Sequence, residues 1–168
     1  MTPDNRLFAG LSETALYGKP DVWIYRSDDN GLNWFPDDNG IEIAISELNQ
    51  YVSVLLHIDT TGILWAMVHG AGVFRYNGNI WESINNNLPL NALRGTYLVS
   101  DPKNSNRLLL GTEASWIYET RNSGESWNVL PWPENINNLE TFPLVYTIVI
   151  DTNLLRSLIS IYIPSCFN

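Results

Sequence analysis

Three tryptophans constrain this chain more than anything in its composition. Trp34, Trp81 and Trp127 stand 47 and 46 residues apart, and Gly31, Gly78 and Gly124, each three residues upstream of one of them, keep the same step. Two residue types in phase over three copies mark an internal repeat, and every copy of a repeat must bury the same face against a neighbour. The flanking residues agree: "VWIYRSDDNGLNW" (22–34) matches "SWIYETRNSGESW" (115–127), and "VFRYNGNIW" (73–81) is a copy shortened by two. A second echo lies upstream, where "NRLFAG" (5–10) matches "NRLLLG" (106–111), with "GILWAM" (62–67) between them.

Within one period the pattern is that of strands. "TYLVSD" (96–101), "RLLLGT" (107–112), "WIYETR" (116–121) and "SWNVLP" (126–131) are short aliphatic and aromatic runs bounded by turn-forming stretches. No segment sustains a 3.6-residue apolar period with capping residues; "IEIAISELNQ" (41–50) comes closest, and about one helical turn is expected there. Four-stranded antiparallel units of roughly 40 to 50 residues are the signature of propeller blades. The predicted fold is therefore all-β, an incomplete β-propeller of about three to three and a half four-stranded blades, with units near 5–38, 52–86, 95–131 and 145–163 in one partial domain spanning 1–168. The first unit lacks an obvious first strand, whereas "VYTIVID" (145–151) and "SLISIYIP" (157–164) open a fourth. Each recurring indole is expected to wedge its blade against the next, because a wide flat ring buries a large apolar area.

The stretch "RSDDNGLNWFP" (26–36) reads either as a cation loop or as a turn. An EF-hand loop needs its glycine at position six, which would put Arg26 at position one, where a carboxylate belongs; "PDDNG" (36–40) fails likewise, with Phe35 there. A turn fits better. Ser27 and Asp29 can accept bonds from backbone N–H groups downstream, and Gly31 supplies a positive φ without a Cβ clash.

Ser27, Asp29, Gly31 and Trp34 fit the Ser-x-Asp-x-Gly-x-x-Trp pattern of the Asp-box, or BNR repeat. Thr120, Asn122, Gly124 and Trp127 fit its Thr/Asn variant, and Asn77, Gly78 and Trp81 form a degenerate copy. Over residues 5–163 the chain resembles the BNR β-propeller families: sialidases, xyloglucanase-type glycoside hydrolases, sortilin-like receptors and photosystem-assembly-type propellers. The resemblance implies that the box is a structural turn between the third and fourth strands of a blade, away from the central substrate cleft. Members are often extracellular. Since about three blades fall short of the usual four to eight, the chain is expected to be a segment of a longer propeller, or to associate with itself through open blade faces.

Composition closes off several functions. Nine basic against eighteen acidic residues give a formal charge of −9, which repels nucleic-acid backbones and anionic membrane surfaces. Cys166 is the one cysteine, so neither a disulfide framework nor a cysteine-rich metal site can be built. The start, "MTPDNRLFAG", lacks the order of a signal peptide, and no apolar run reaches the ~20 residues of a membrane helix.

Catalysis finds little footing. The sialidase resemblance would require an arginine triad, a tyrosine–glutamate pair and an acidic proton donor. Arg26, Arg75 and Arg121 instead flank the boxes, where solvated surface charge is expected, and Arg6 and Arg107 hold equivalent places before second strands. Asp59, Asp101 and Asp151 each end a first strand, which favours turn capping over a catalytic carboxylate pair. His57 and His69 have no third ligand at zinc spacing, and "HGAG" (69–72) reads as a hairpin turn. The expectation is a non-catalytic propeller segment without cofactor or metal, binding a protein or glycan through loops such as "LSETALYGKPD" (11–21) and "PWPENINNLETF" (132–142). The alternative is a fragment of a glycoside hydrolase, exo-sialidase-like or xyloglucanase-like, that lacks its full active site.

Overall fold

The computed structural model describes residues 5–14, 23–41, 51–113, 116–131, 144–151 and 156–162. The chain divides into two compact units, Met1–Ile84 and Asn85–Asn168. All the sheets described are antiparallel and pair through the short apolar runs that the repeat marks out.

The first unit contains, in chain order, β1 (Leu7–Gly10), β2 (Ser12–Thr14), β3 (Ile24–Ser27), β4 (Phe35–Pro36), β5 (Tyr51–Ile58), β6 (Leu64–Val68), β7 (Gly72–Tyr76) and β8 (Trp81–Ser83). One sheet has the order β1-β3-β4 and the other β2-β5-β6-β7-β8. Only Leu11 separates β1 from β2, so one extended run pairs first with β3 and then with β5. Leu11 makes the switch by donating its N–H to Trp23 O at 2.9 Å and accepting from Val54 N at 3.0 Å. This corrects the expected loop at 11–21: residues 12–14 are a strand, because the outer edge of β5 offers unpaired backbone groups that an adjacent extended segment satisfies. The remainder of that stretch lies outside the described residues.

Between the two sheets of this unit sits a core of Ile24, Val54, Leu64, Ala66, Val68, Phe74, Tyr76 and Trp81, with Phe8, Trp23, Ile41 and Leu56 packed around it. Every residue of β6 is buried, which explains why "LWAMV" shows no alternation. Val68 pairs with Gly72 across His69-Gly70-Ala71, and positive φ at Gly70 and Gly72 closes this hairpin as expected for "HGAG".

The second unit opens with a 3-10 helix at Leu90–Leu93, followed by β9 (Gly95–Asp101), β10 (Asn104–Thr112), β11 (Ile117–Thr120) and β12 (Asn128–Leu130) in the order β12-β11-β10-β9. These match the strands expected at 96–131 to within a few residues. The strands β13 (Leu144–Asp151) and β14 (Arg156–Tyr162) form a two-stranded sheet. Leu109, Ile117, Val145 and Ile148 make the core between the two sheets, flanked by Tyr97, Val99, Leu130 and Ile150. The helical turn expected in "IEIAISELNQ" lies, apart from Ile41, outside the described residues.

One contact recurs in both units. A Cβ on Gly10 would lie 2.8 Å from Val54 O, and one on Gly111 would lie 2.6 Å from Val145 Cγ1. Each glycine ends the echo "NR-L-x-x-G" and lets its strand approach the first strand of the following sheet closely, which is why the echo closes on a residue without a side chain.

Candidate functional site

The box turns are built alike. In the first, Ser27 is fully buried at the end of β3; its Oγ accepts from Gly31 N at 2.8 Å and Asp29 N at 3.4 Å, and donates to Asp29 Oδ1 at 2.8 Å. The Asp29 carboxylate accepts from Asn33 N at 2.9 Å and Asn33 Nδ2 at 2.6 Å. These bonds, those from Asn33 first, hold Asp29 down to about 2. Gly31 takes a φ of 89°. In the second, Thr120 is fully buried at the end of β11, and its Oγ1 accepts from Gly124 N at 2.9 Å and donates to Asn122 Oδ1 at 2.8 Å. Asn122 Oδ1 accepts from Ser126 N at 3.0 Å, and Gly124 has a φ of 88°. A neutral amide thus fills the place of Asp29: its Oδ1 takes the same two bonds, while its Nδ2 donates to Ser126 Oγ at 3.0 Å where Asp29 Oδ2 accepts from Asn33. In the shortened copy Asn77 Oδ1 accepts from Asn79 N and Ile80 N, both at 3.0 Å, and Gly78 takes a φ of 101°.

The three tryptophans part company. Trp81 is 1% exposed and Trp127 3%, but Trp34 is 41% exposed. The expectation that every indole wedges against a neighbouring sheet therefore fails at Trp34, and Trp81 shows the reason. Residues 37–40, which follow β4, fold over Trp81: its Nε1 donates to Asp37 O at 2.7 Å and its backbone N to Asn39 O at 2.9 Å. Gly40, at a φ of 94°, presses so near that a Cβ would lie 2.2 Å from Trp81 O. Among the described residues no such segment precedes the first sheet, and the Trp34 Nε1 instead donates to Gly31 O of its own box at 3.1 Å.

Behind the first box lies a charge cluster that sequence reasoning missed. The Asp37 carboxylate, nearly buried, accepts from Tyr76 Oη at 2.8 Å and Arg26 Nη1 at 3.0 Å, and Arg26 Nε lies 3.1 Å from Asp28. Burial opposes charge on Arg26, yet the Tyr76 hydroxyl and the Asp37 and Asp28 carboxylates override it and hold the guanidinium above its ordinary value. Arg26 is thus a bridge from β3 to β7 rather than the solvated surface charge expected of it. The only available signal was that Asp37 and Asp38 follow the box directly; Asp38 accepts from Trp23 N at 2.8 Å.

The equivalent places elsewhere are also paired. Arg75 meets Glu82 at 3.1 Å. Glu119, opposite Arg26 in charge, binds Arg107 at 2.6 Å and the well-exposed Arg121 at 2.8 Å, and Arg107 also reaches Asp101 at 3.1 Å.

The acids at first-strand ends are held in turns. Asp59 Oδ1 accepts from Thr61 N at 2.8 Å, Thr61 Oγ1 at 2.7 Å and Ile63 N at 3.0 Å, while its Oδ2 accepts from Trp65 Nε1 at 3.0 Å. Burial raises its pKa, and these donors outweigh that and bring it below the ordinary value. Asp101 accepts from Lys103 N at 2.9 Å. It too is lowered, burial working against the Lys103 N–H and Arg107. The Asp151 side chain lies outside the described residues; its backbone pairs with Arg156. Glu82 is lowered by Asn77 and then Arg75.

Arg6, Phe8, Leu56, His57 and Leu64 line a shallow cavity of about 200 Å³. Burial pushes His57 below its ordinary value, with Asp59 opposing. Among the described residues no three His, Cys, Asp or Glu side chains cluster to hold a metal, and no helix is long and apolar enough to cross a membrane.

No family model matches the sequence, and no curated protein matches it either. Among solved structures, the GH74 enzyme of Niastella koreensis is similar over 74% of this chain and 19% of its own length, at 18% identity and a TM-score of 0.54. YCF48 bound to a D1 peptide is similar over 75% of this chain and 51% of its own length, at 17% identity and a TM-score of 0.39. The chain therefore spans about a fifth of the enzyme and about half of the second protein. The likeness to the enzyme is one of fold: with antiparallel sheets of a few strands each and, among the described residues, almost no helix, this chain is an all-β protein whose fold is an incomplete β-propeller.

Proposed function

We propose that the chain is a non-catalytic Asp-box β-propeller segment, with blade units near 5–38, 52–86, 95–131 and 145–163, that serves as a protein- or glycan-binding scaffold. The observation that carries this reading is the equivalence of Asp29 Oδ1 and Asn122 Oδ1, which take the same two bonds in the same turn, so that an amide closes the hairpin as a carboxylate does and the turn does not depend on the anionic charge. Ser27, Gly31 and Trp34, like Thr120, Gly124 and Trp127, then hold hairpins, as Asn77 and Gly78 do before Trp81.

The acids support the same reading. A glycosidase needs a carboxyl group kept protonated near neutral pH to serve as general acid. Among the described residues Asp29, Asp59, Glu82 and Asp101 are instead held below their ordinary values, and each of these acids is engaged by donors of its own turn or strand pair. The test is a turnover screen of the purified chain against fluorogenic sialosides and xyloglucan oligosaccharides. No release of product above buffer is expected. Hydrolysis that survives Ser27→Ala but is abolished by Asp37→Asn or Asp59→Asn would replace the scaffold with a glycoside hydrolase fragment.

A further inference from the structure

Asn-Gly is the dipeptide at which an asparagine carboxamide is most readily lost, because glycine has no Cβ to hinder the approach of its nitrogen to the asparagine Cγ. It occurs three times, at Asn30–Gly31, Asn39–Gly40 and Asn77–Gly78, and all three glycines take a positive φ. The same dipeptide therefore sits under three different sets of restraints.

Two of the three are held away from reaction. The Gly31 N–H, the group that would attack, donates at 2.8 Å to the Oγ of the fully buried Ser27. In the shortened box the target is fixed instead: Asn77 Oδ1 accepts from Asn79 N and Ile80 N, and Asn77 Nδ2 donates to Glu82 Oε1 at 2.8 Å. Turning that carboxamide toward Gly78 N breaks these bonds.

Asn39 carries neither restraint. It is exposed, and its side chain makes no hydrogen bond among the described residues. Its main-chain carbonyl accepts from Trp81 N at 2.9 Å; in a trans peptide the N–H points opposite to the C=O, so the Gly40 N–H faces away from Trp81. Gly40 is exposed as well. Attacking nitrogen and target carbon thus both meet water, in a turn that Ile41 N closes onto Asp38 O at 3.0 Å.

We propose that Asn39 is a site of spontaneous deamidation, the Gly40 nitrogen closing on Asn39 Cγ to form a succinimide that water opens to isoaspartate. The Gly40 N–H gives its proton to hydroxide, the N–Cγ bond forms and the Cγ–Nδ2 bond breaks, and Nδ2 leaves as ammonia with a proton from water. Water adding at Cγ then gives aspartate, and water adding at the main-chain carbonyl carbon gives isoaspartate. One water is consumed and one ammonia released, with no oxidation or reduction. Isoaspartate routes the main chain through the former side chain and lengthens it by one carbon. The carbonyl that accepts from Trp81 N is then displaced, beside a Gly40 that already lies against Trp81 O. The reaction therefore loosens the segment that covers Trp81 and ties the age of the chain to the packing of β8.

Incubation of the folded chain at mildly alkaline pH, followed by peptide mapping and enzymatic isoaspartyl methylation, tests the proposal. Isoaspartate is expected to form at 39 at least about tenfold faster than at 30 or 77, the factor set by a hydrogen bond that must break first. In a urea-unfolded sample the three rates are expected to converge, since the dipeptide alone then sets them. Asn39→Gln, whose longer side chain closes no five-membered ring, is expected to abolish the signal at 39 and to melt alike fresh and aged, whereas aged wild type melts lower than fresh. Equal rates at the three positions of the folded chain, a faster rate at 30 or 77, or no reaction at 39 where the unfolded chain reacts, overturns the proposal. Wild type that has reacted at 39 yet melts as the fresh chain does overturns the link to Trp81.

Discussion

At the scale of the residue, equal spacing does not mean equal energy. Trp81 has its indole N–H and its backbone N–H bonded to residues 37 and 39, and Gly40 lies against its carbonyl, so its removal opens a cavity that the clamp cannot fill. Trp81→Ala is expected to cost about 3–5 kcal/mol in urea unfolding. Trp34→Ala is expected to cost about 1 kcal/mol or less, because 41% of that residue is in water and its indole bond stays within its own hairpin. Equal losses at the two positions would count against the packing described for Trp81. The box polar residues follow a similar logic. Ser27→Ala strips a buried acceptor from the Gly31 N–H and is expected to cost about 1–3 kcal/mol, with the melting temperature falling accordingly.

At the scale of the element, most strands and the antiparallel pairing of consecutive strands were legible, and one switch between sheets was not. Runs such as "RLLLGT" announce a strand by composition, and β9 to β12 fall close to where that composition places them. β2 was not legible: "SET" has no strand character, and it pairs only because Leu11 carries the chain from the edge of β3 to the edge of β5. The glycines ending "NRLFAG" and "NRLLLG" were visible as a repeat, but their cause lies in tertiary contacts with Val54 and Val145. Gly10→Ala and Gly111→Ala are each expected to destabilise by about 1–3 kcal/mol, since an added methyl must push back a strand rather than a flexible side-chain tip. Denaturant titration of the two variants checks this, and a neutral result at both would mean that the sheets can slide apart.

At the scale of the whole molecule, the charges set a one-sided pH response. Asp29, at about 2, and Asp59, Glu82 and Asp101, all lowered, bind protons less readily folded than unfolded. Their contribution is present at neutral pH, begins to fade as pH falls toward the ordinary carboxylate values of 3.8 and 4.5, and is lost as each folded value is passed. His57, lowered by burial, acts in the same direction from 6.5 downward, because the unfolded chain takes up its proton first. Melting temperature is therefore expected to fall steadily from pH 7 to pH 3, with net charge becoming less negative over the same range; a rise toward acid would contradict the turn bonding of these acids.

What the sequence determined by itself was the period, the all-β class and the hairpin chemistry of the boxes, because a positive φ, a short acceptor side chain and an alternating strand are local properties that a few neighbouring residues suffice to specify. Only the tertiary structure decided that Trp81 is covered and Trp34 bare, that Arg26, Asp37 and Tyr76 meet, and that Gly10 and Gly111 have no room for a methyl group. Those outcomes depend on which surface lies against which, and residues distant in the chain come together through packing of whole sheets, which no single repeat encodes.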